Sequence, residues 1–111
     1  MDVNEYQKLA MRTLNKALTP KEILINGVMG LCGESGEAID IVKKHISHNH
    51  PLDKEHLIKE LGDIAWYLAE VATVLNVSLE EVLKINIEKL KKRYPDGFSE
   101  YNSINRQAGD I

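Results

Sequence analysis

The sequence predicts an all-α protein built around four helices, and three observations carry that expectation. Apolar residues recur at three- and four-residue intervals along most of the chain, the spacing of one face of an α-helix. No stretch shows the strict alternation of a half-buried strand. Helix-capping residues precede the periodic stretches, and a polar linker or a Pro-Asp-Gly turn separates or ends them. The expected arrangement is a four-helix bundle with helices at about 2–17, 20–48, 53–76 and 78–94, then an irregular C-terminal tail, in a single domain over residues 1–111.

The first helix opens on Asp2 with Glu5 three residues later, a capping-box spacing, and carries Tyr6, Leu9, Ala10, Leu14 and Ala17 on one face. The second starts at Thr19-Pro20-Lys21-Glu22, with a capping threonine, proline at the first position and a glutamate to close the box. Its glycines, Gly27, Gly30, Gly33 and Gly36, recur every third residue. Each costs about 1 kcal/mol relative to alanine in a helix interior. The segment either breaks near Gly33 or continues as one long helix whose bare stripe admits a neighbouring helix or a ligand; the continuous helix is the preferred reading. The polar linker SHNHPLDKE follows, and Asp53 caps the third helix, with Leu52 and Leu57 placed to staple its start. Leu57, Ile58, Leu61, Ile64, Ala65, Leu68, Val71, Ala72 and Leu75 give that helix a broad apolar face. Ser78 and Glu81 open the fourth, which Pro95-Asp96-Gly97 terminates.

Composition narrows the function. A hydrophobic content of 43% and a charged content of 28% describe an ordinary globular chain of one-domain size. The net charge of −3 argues against a grip on a nucleic acid polymer, which needs a clustered basic surface. The single cysteine, Cys32, excludes an internal disulfide and fits a reducing cytoplasm. The opening MDVNEYQKLAMRTL is amphipathic and carries Asp2 and Glu5, so no secretory leader is expected. No apolar run approaches the roughly 20 residues that span a bilayer.

The chemistry concentrates in two matching acidic pairs, Glu34 with Glu37 and Glu60 with Asp63. Each pair is spaced i, i+3 on a helix, which sets its carboxylates roughly 60° apart on one face. The 22 residues between Glu37 and Glu60 hold a helix end, a turn and a return helix. If the helices run antiparallel, four carboxylates converge and repel one another unless a cation joins them. A hard divalent ion such as Mg²⁺, with Mn²⁺ as substitute, suits an all-oxygen site and binds through few carboxylates plus substrate phosphates. Four acids exceed one ion's need, so either two ions bind during turnover or one acid serves as base for a water.

Asn86, Lys89 and Arg93 form a second stripe, at i, i+3, i+7 on the fourth helix. They either neutralise phosphate oxygens, arginine as a bidentate fork, or form a solvated basic helix end. Lys44, seven residues after Glu37, reaches either the acids or a phosphate. Trp66 and Tyr67 follow the second acidic pair, and Trp66 reads as an aromatic filling a bundle core or dimer interface. His45, His48, His50 and His56 surround the linker, match no closed zinc pattern, and read as a solvated loop. Cys32 reads as packing volume.

The strings ESGE, KELGDIAWYL and NIEKLKKRYP resemble the MazG-type all-α nucleoside triphosphate pyrophosphohydrolases. That family's E-x-x-E, spacer, E-x-x-D motif coincides with Glu34, Glu37, Glu60 and Asp63. Asn86, Lys89, Arg93 and Tyr94 coincide with its phosphate- and nucleotide-contacting segment. The opening YQKLAMRT and the tail FSEYNSINR are similar to small single-domain members. The resemblance implies a MazG-like bundle, catalytic and metal-binding roles for the four acids, and substrate contacts from the later segment, with an aromatic near Trp66 against the base. It implies Mg²⁺-dependent cleavage of nucleoside triphosphates to a monophosphate and pyrophosphate, in a homodimer or homotetramer. Two rivals stand beside it. A di-iron carboxylate bundle wants Glu-x-x-His on two helices, where this chain has acids. A non-catalytic nucleotide-binding or helical interaction module has little use for four converging acids.

Overall fold

The computed structural model describes residues 1–111, and its regular elements are all helices, with no strand. Its elements are α1 (Val3–Ala10), a short 3₁₀ turn (Met11–Thr13), α2 (Pro20–Ser47), α3 (Lys54–Val74), α4 (Leu79–Arg93) and α5 (Glu100–Ile104). The chain divides into two compact units, Met1–Leu79 and Glu80–Ile111.

In the first unit, α2 and α3 form an antiparallel hairpin. Gly27 lies against Glu70 and Val71, Gly30 against Tyr67, and Glu34 near Asp63, so numbers rise on one helix as they fall on the other. Helix α2 is unbroken for 28 residues. A complete capping box starts it: Thr19 Oγ1 accepts the Glu22 amide at 3.2 Å, and the Glu22 carboxylate accepts from the Thr19 amide. Two of the four glycines are there for closeness. A Cβ on Gly27 would meet Val71 Cγ2 at 2.7 Å, and one on Gly30 would overlap the Tyr67 ring. Gly33 and Gly36 border open space. The bare stripe is thus clearance for α3 at one end only.

Helix α1 is shorter than the 2–17 that periodicity predicts. It ends at Ala10, where the Trp66 indole N–H donates to the Ala10 carbonyl and to Thr13 Oγ1, both at 2.9 Å. The Thr13 hydroxyl donates to the same carbonyl at 2.9 Å, and Asn15 Oδ1 accepts the Ala17 amide at 3.0 Å. Such local side-chain bonds compete with helix continuation, so Leu14 and Ala17 belong to a turn despite their spacing. The buried core under α1 is Ala10, Ala69 and Leu79, with Val3, Tyr6, Met11 and Trp66 packed on it. Gln7 ties the far corner: its amide nitrogen donates to Thr73 Oγ1 at 3.0 Å and the Val77 carbonyl at 3.2 Å, and its oxygen accepts the Leu79 amide at 2.7 Å.

In the second unit, α4 stops at Arg93, and Gly97, at φ 89°, makes the turn that the Pro-Asp-Gly string predicts. The tail departs from the irregular segment expected. Ser99 caps the short helix α5 by accepting the Asn102 amide at 3.0 Å. Asp110 accepts two bonds from Arg93, Nε to Oδ2 at 2.8 Å and a terminal nitrogen to Oδ1 at 2.7 Å.

Candidate functional site

The hairpin register that places Gly30 on Tyr67 carries the acids of α2 past those of α3. Glu34, Glu60 and Asp63 each offer a carboxylate oxygen, and these oxygens lie within 4.8 Å of one another. Three of the four predicted acids therefore converge. Glu37 is exposed and lies outside this trio, although its charge is felt at Glu34.

Glu60 is the buried member, with 8% of its surface exposed. Its Oε1 lies 2.8 Å from His56 Nε2, while Oε2 is buried with no hydrogen-bond partner. An orphaned carboxylate oxygen among other carboxylates is costly unless a proton or a cation reaches it. Glu34 shows the proton's version: a proton on its carboxyl would bridge to Glu60, and that bond first, then desolvation and the charges of Asp63, Glu60 and Glu37, hold the group above the usual range. A hard divalent cation satisfies the same oxygens, and an all-carboxylate donor set suits Mg²⁺ or Mn²⁺. The residues present therefore fit such an ion. Trp66 and Tyr67 border the acids in a small pocket with Glu34 and Asp63, their rings 5.1 Å apart and edge-on at 87°. Burial and the charge of Asp63 raise the Tyr6 phenol.

The remaining predicted residues fall elsewhere. Lys44 pairs with Asp40 at 2.8 Å on the exposed side of α2, which raises the lysine and lowers the aspartate. Asn86, Lys89 and Arg93 line a cavity of about 860 Å³ in the second unit, together with Lys84, Lys92 and Arg106. That volume is within the range of small-ligand sites. Arg93 is largely enclosed, and its fork is taken by Asp110, which the pairing holds well below the usual carboxylate range. Tyr94 stacks at a tilt on Phe98, ring centroids 5.5 Å apart, with the Arg93 guanidinium 5.9 Å from its own ring.

Three features escape the sequence reading. His56 belongs to α3 and bonds Glu60, whereas the linker histidines read as a solvated loop; its i, i+4 spacing to Glu60 is the signal that points to the pair. Asp110 has no local signal at all, because its partner is 17 residues away. Glu70, fully buried on α3, looks in sequence like one more helix-surface acid. With the Asn26 amide nitrogen turned toward it, that nitrogen lies 2.9 and 3.2 Å from the two Glu70 oxygens.

Residues 26–98 match the MazG nucleotide pyrophosphohydrolase domain. That span contains both acidic pairs and the Asn86–Tyr94 segment but begins after α1. Among curated relatives, the Gene 37 protein of Mycobacterium phage L5 is 37% identical over 82 residues, covering 70% of this chain and 72% of the relative. The YvdC protein of Bacillus subtilis is 37% identical over 73 residues, covering 58% and 69% respectively. No solved structure matches.

Proposed function

The chain belongs to the MazG nucleotide pyrophosphohydrolase domain family, and on that premise we propose that it cleaves nucleoside or deoxynucleoside triphosphates between the α and β phosphates, giving a monophosphate and pyrophosphate. The observation that carries the reading is the trio Glu34, Glu60 and Asp63, with a buried and unpartnered oxygen on Glu60. Those three carboxylates are the proposed ligands of Mg²⁺ or Mn²⁺, with Glu37 one turn beyond Glu34 as the fourth acid. Held by these residues, such a cation would supply positive charge for the triphosphate and lower the pKa of a bound water. Glu37, exposed and outside the trio, is the acid we assign to accept that water's proton.

Asn86, Lys89, Arg93 and Tyr94 are the proposed phosphate- and nucleotide-contacting residues, and Lys44 and Trp66 the secondary ones. The Nε edge of Arg93 is held by Asp110 and one Lys44 N–H by Asp40, so a phosphate would meet the remaining donors of each group or displace its carboxylate. Trp66 contributes its ring face alone, since its N–H is held by Ala10 and Thr13. The family match runs across both compact units, which supports treating residues 1–111 as one functional domain. Ile25, Val28, Met29, Ile39 and Ile46 of α2, Ile58 and Leu61 of α3, and Leu75 just past its end are exposed. So much apolar surface on one helical hairpin supports a homodimer or homotetramer. No helix is long and apolar enough to cross a membrane; a cytoplasmic house-cleaning role toward the nucleotide pool completes the proposal.

The test is pyrophosphate release from a panel of common and damaged nucleoside triphosphates with Mg²⁺. Turnover by the wild type, lost in Glu60→Ala and Glu37→Ala, supports the assignment. Full activity in either variant removes that residue from the mechanism. Tight nucleotide binding without turnover favours a binding module instead.

A further inference from the structure

His56 stands one helical turn before Glu60 on α3, and its Nε2 lies 2.8 Å from Glu60 Oε1. An ionised carboxylate has no hydrogen to give, so the imidazole nitrogen is the donor. Helix pairs at this spacing are common and weak when both partners are solvated. Lys44 and Asp40 on α2 are such a pair, their side chains 48% and 40% exposed. The His56 pair differs in one respect: His56 is 51% exposed, while the Glu60 side chain it holds is only 11% exposed. One oxygen of that buried carboxylate is committed to the histidine and the other has no partner.

The histidine is itself held at the start of the helix. Asp53 caps α3 by accepting the His56 amide on Oδ1 at 3.1 Å. Its other oxygen, Oδ2, lies 3.9 Å from His56 Nδ1, where its charge favours a ring turned toward it. Asp53, His56 and Glu60 therefore follow one another along α3, with a hydrogen-bond-length contact between His56 and Glu60 and only a longer electrostatic approach from Asp53 to the ring. A hydrogen bond that fixes one carboxylate oxygen also fixes the torsion of the whole group, and so the direction of the other oxygen.

We propose that His56 is a positioning residue: by binding Glu60 Oε1 it holds Oε2 ready as a ligand for the divalent cation. The inference rests on the metal reading of the trio, but it concerns a residue outside the acidic motif. Such outer hydrogen bonds typically contribute 10- to 100-fold to metal affinity. The bond requires only a donor at the right reach, so a glutamine in its place keeps much of the function.

The test measures Mn²⁺ alone binding to the full chain, by electron paramagnetic resonance of the free ion or by calorimetry. Wild type, Glu60→Ala, His56→Ala and His56→Gln are compared, with thermal melts as the fold control. The expected result is that Glu60→Ala abolishes binding and His56→Ala weakens it by about 10- to 100-fold at an unchanged melting temperature. His56→Gln recovers most of the affinity. If wild type binds Mn²⁺ and Glu60→Ala does not, yet His56→Ala matches wild type, His56 has no positioning role. A glutamine that rescues nothing excludes that role equally. If wild type itself binds no Mn²⁺, the metal reading of the trio fails first, and the two failures are told apart.

Discussion

The two ends of the α2–α3 hairpin treat buried carboxylates in opposite ways. At one end Gly27 and Gly30 let the helices close, and Glu70 is sealed inside with the Asn26 amide as its partner. At the other end Gly33 and Gly36 border open space, and Glu60 is buried beside Glu34 and Asp63 with one oxygen unmatched. A lone acid with a neutral amide is a finished structural contact. Three acids with an orphaned oxygen form an unfinished one, which a cation would complete. Burial alone does not single out a candidate metal ligand; unmet bonding capacity beside other acids does.

The largest effect expected from this contrast is on turnover. Glu60→Ala should lower pyrophosphate release by more than about 100-fold, while Glu70→Gln, which keeps the contact to Asn26, should leave it near the wild-type rate. Equal losses in steady-state assays would erase the distinction between the two ends. Next comes packing. Gly30→Ala forces a methyl into the Tyr67 ring and should cost about 1–3 kcal/mol in denaturant unfolding. Gly36→Ala meets nothing and should instead add up to about 1 kcal/mol through helix propensity. A destabilised Gly36→Ala would show that the open end is occupied in the working assembly.

A smaller change is expected at Trp66. Trp66→Phe removes the donor to Ala10 and Thr13 and should cost about 1 kcal/mol, read as a lower melting temperature with KM unchanged. The unchanged KM is expected because phenylalanine keeps a ring face, and a raised KM would show that the nucleotide contact needs the larger indole. The finest test uses pH. Burial raises the Glu70 carboxyl above its ordinary 4.5, so the folded chain holds that proton more tightly than the unfolded one. Its contribution is fully present below 4.5 and is lost as pH rises through the higher folded value. Glu70→Gln should flatten that decline, with melting temperatures close to wild type at low pH and above it at neutral pH. Parallel curves for the two proteins would show that Glu70 is not the group responsible.

Much of the molecule is legible in its sequence, for local reasons. Thr19 and Asp53 announce their helix starts because capping acts within three residues. The acidic pairs announce a shared face because i, i+3 geometry is a property of any helix. Periodicity alone overextends helix α1, since Leu14 and Ala17 keep the period while the Trp66 indole, 56 residues from Ala10, captures the end of the helix. It also undervalues His56, because the sequence shows the spacing to Glu60 but not that Glu60 is buried.

Short-range periodicity and capping account for the helical class, the starts of α1, α2 and α3 and the two acidic pairs. The continuity of α2 through its four glycines is a preference in the sequence that the fold confirms. Only the tertiary structure decided which acids meet. The approach of Gly27 and Gly30 to α3 sets the hairpin register, and that register joins Glu34 to Glu60 and Asp63 and leaves Glu37 outside. It also decided that Glu60 and Glu70, ten residues apart on one helix, are both buried but only one is satisfied. Burial and partnership depend on what the opposite helix presents, and no periodicity within a single helix encodes that.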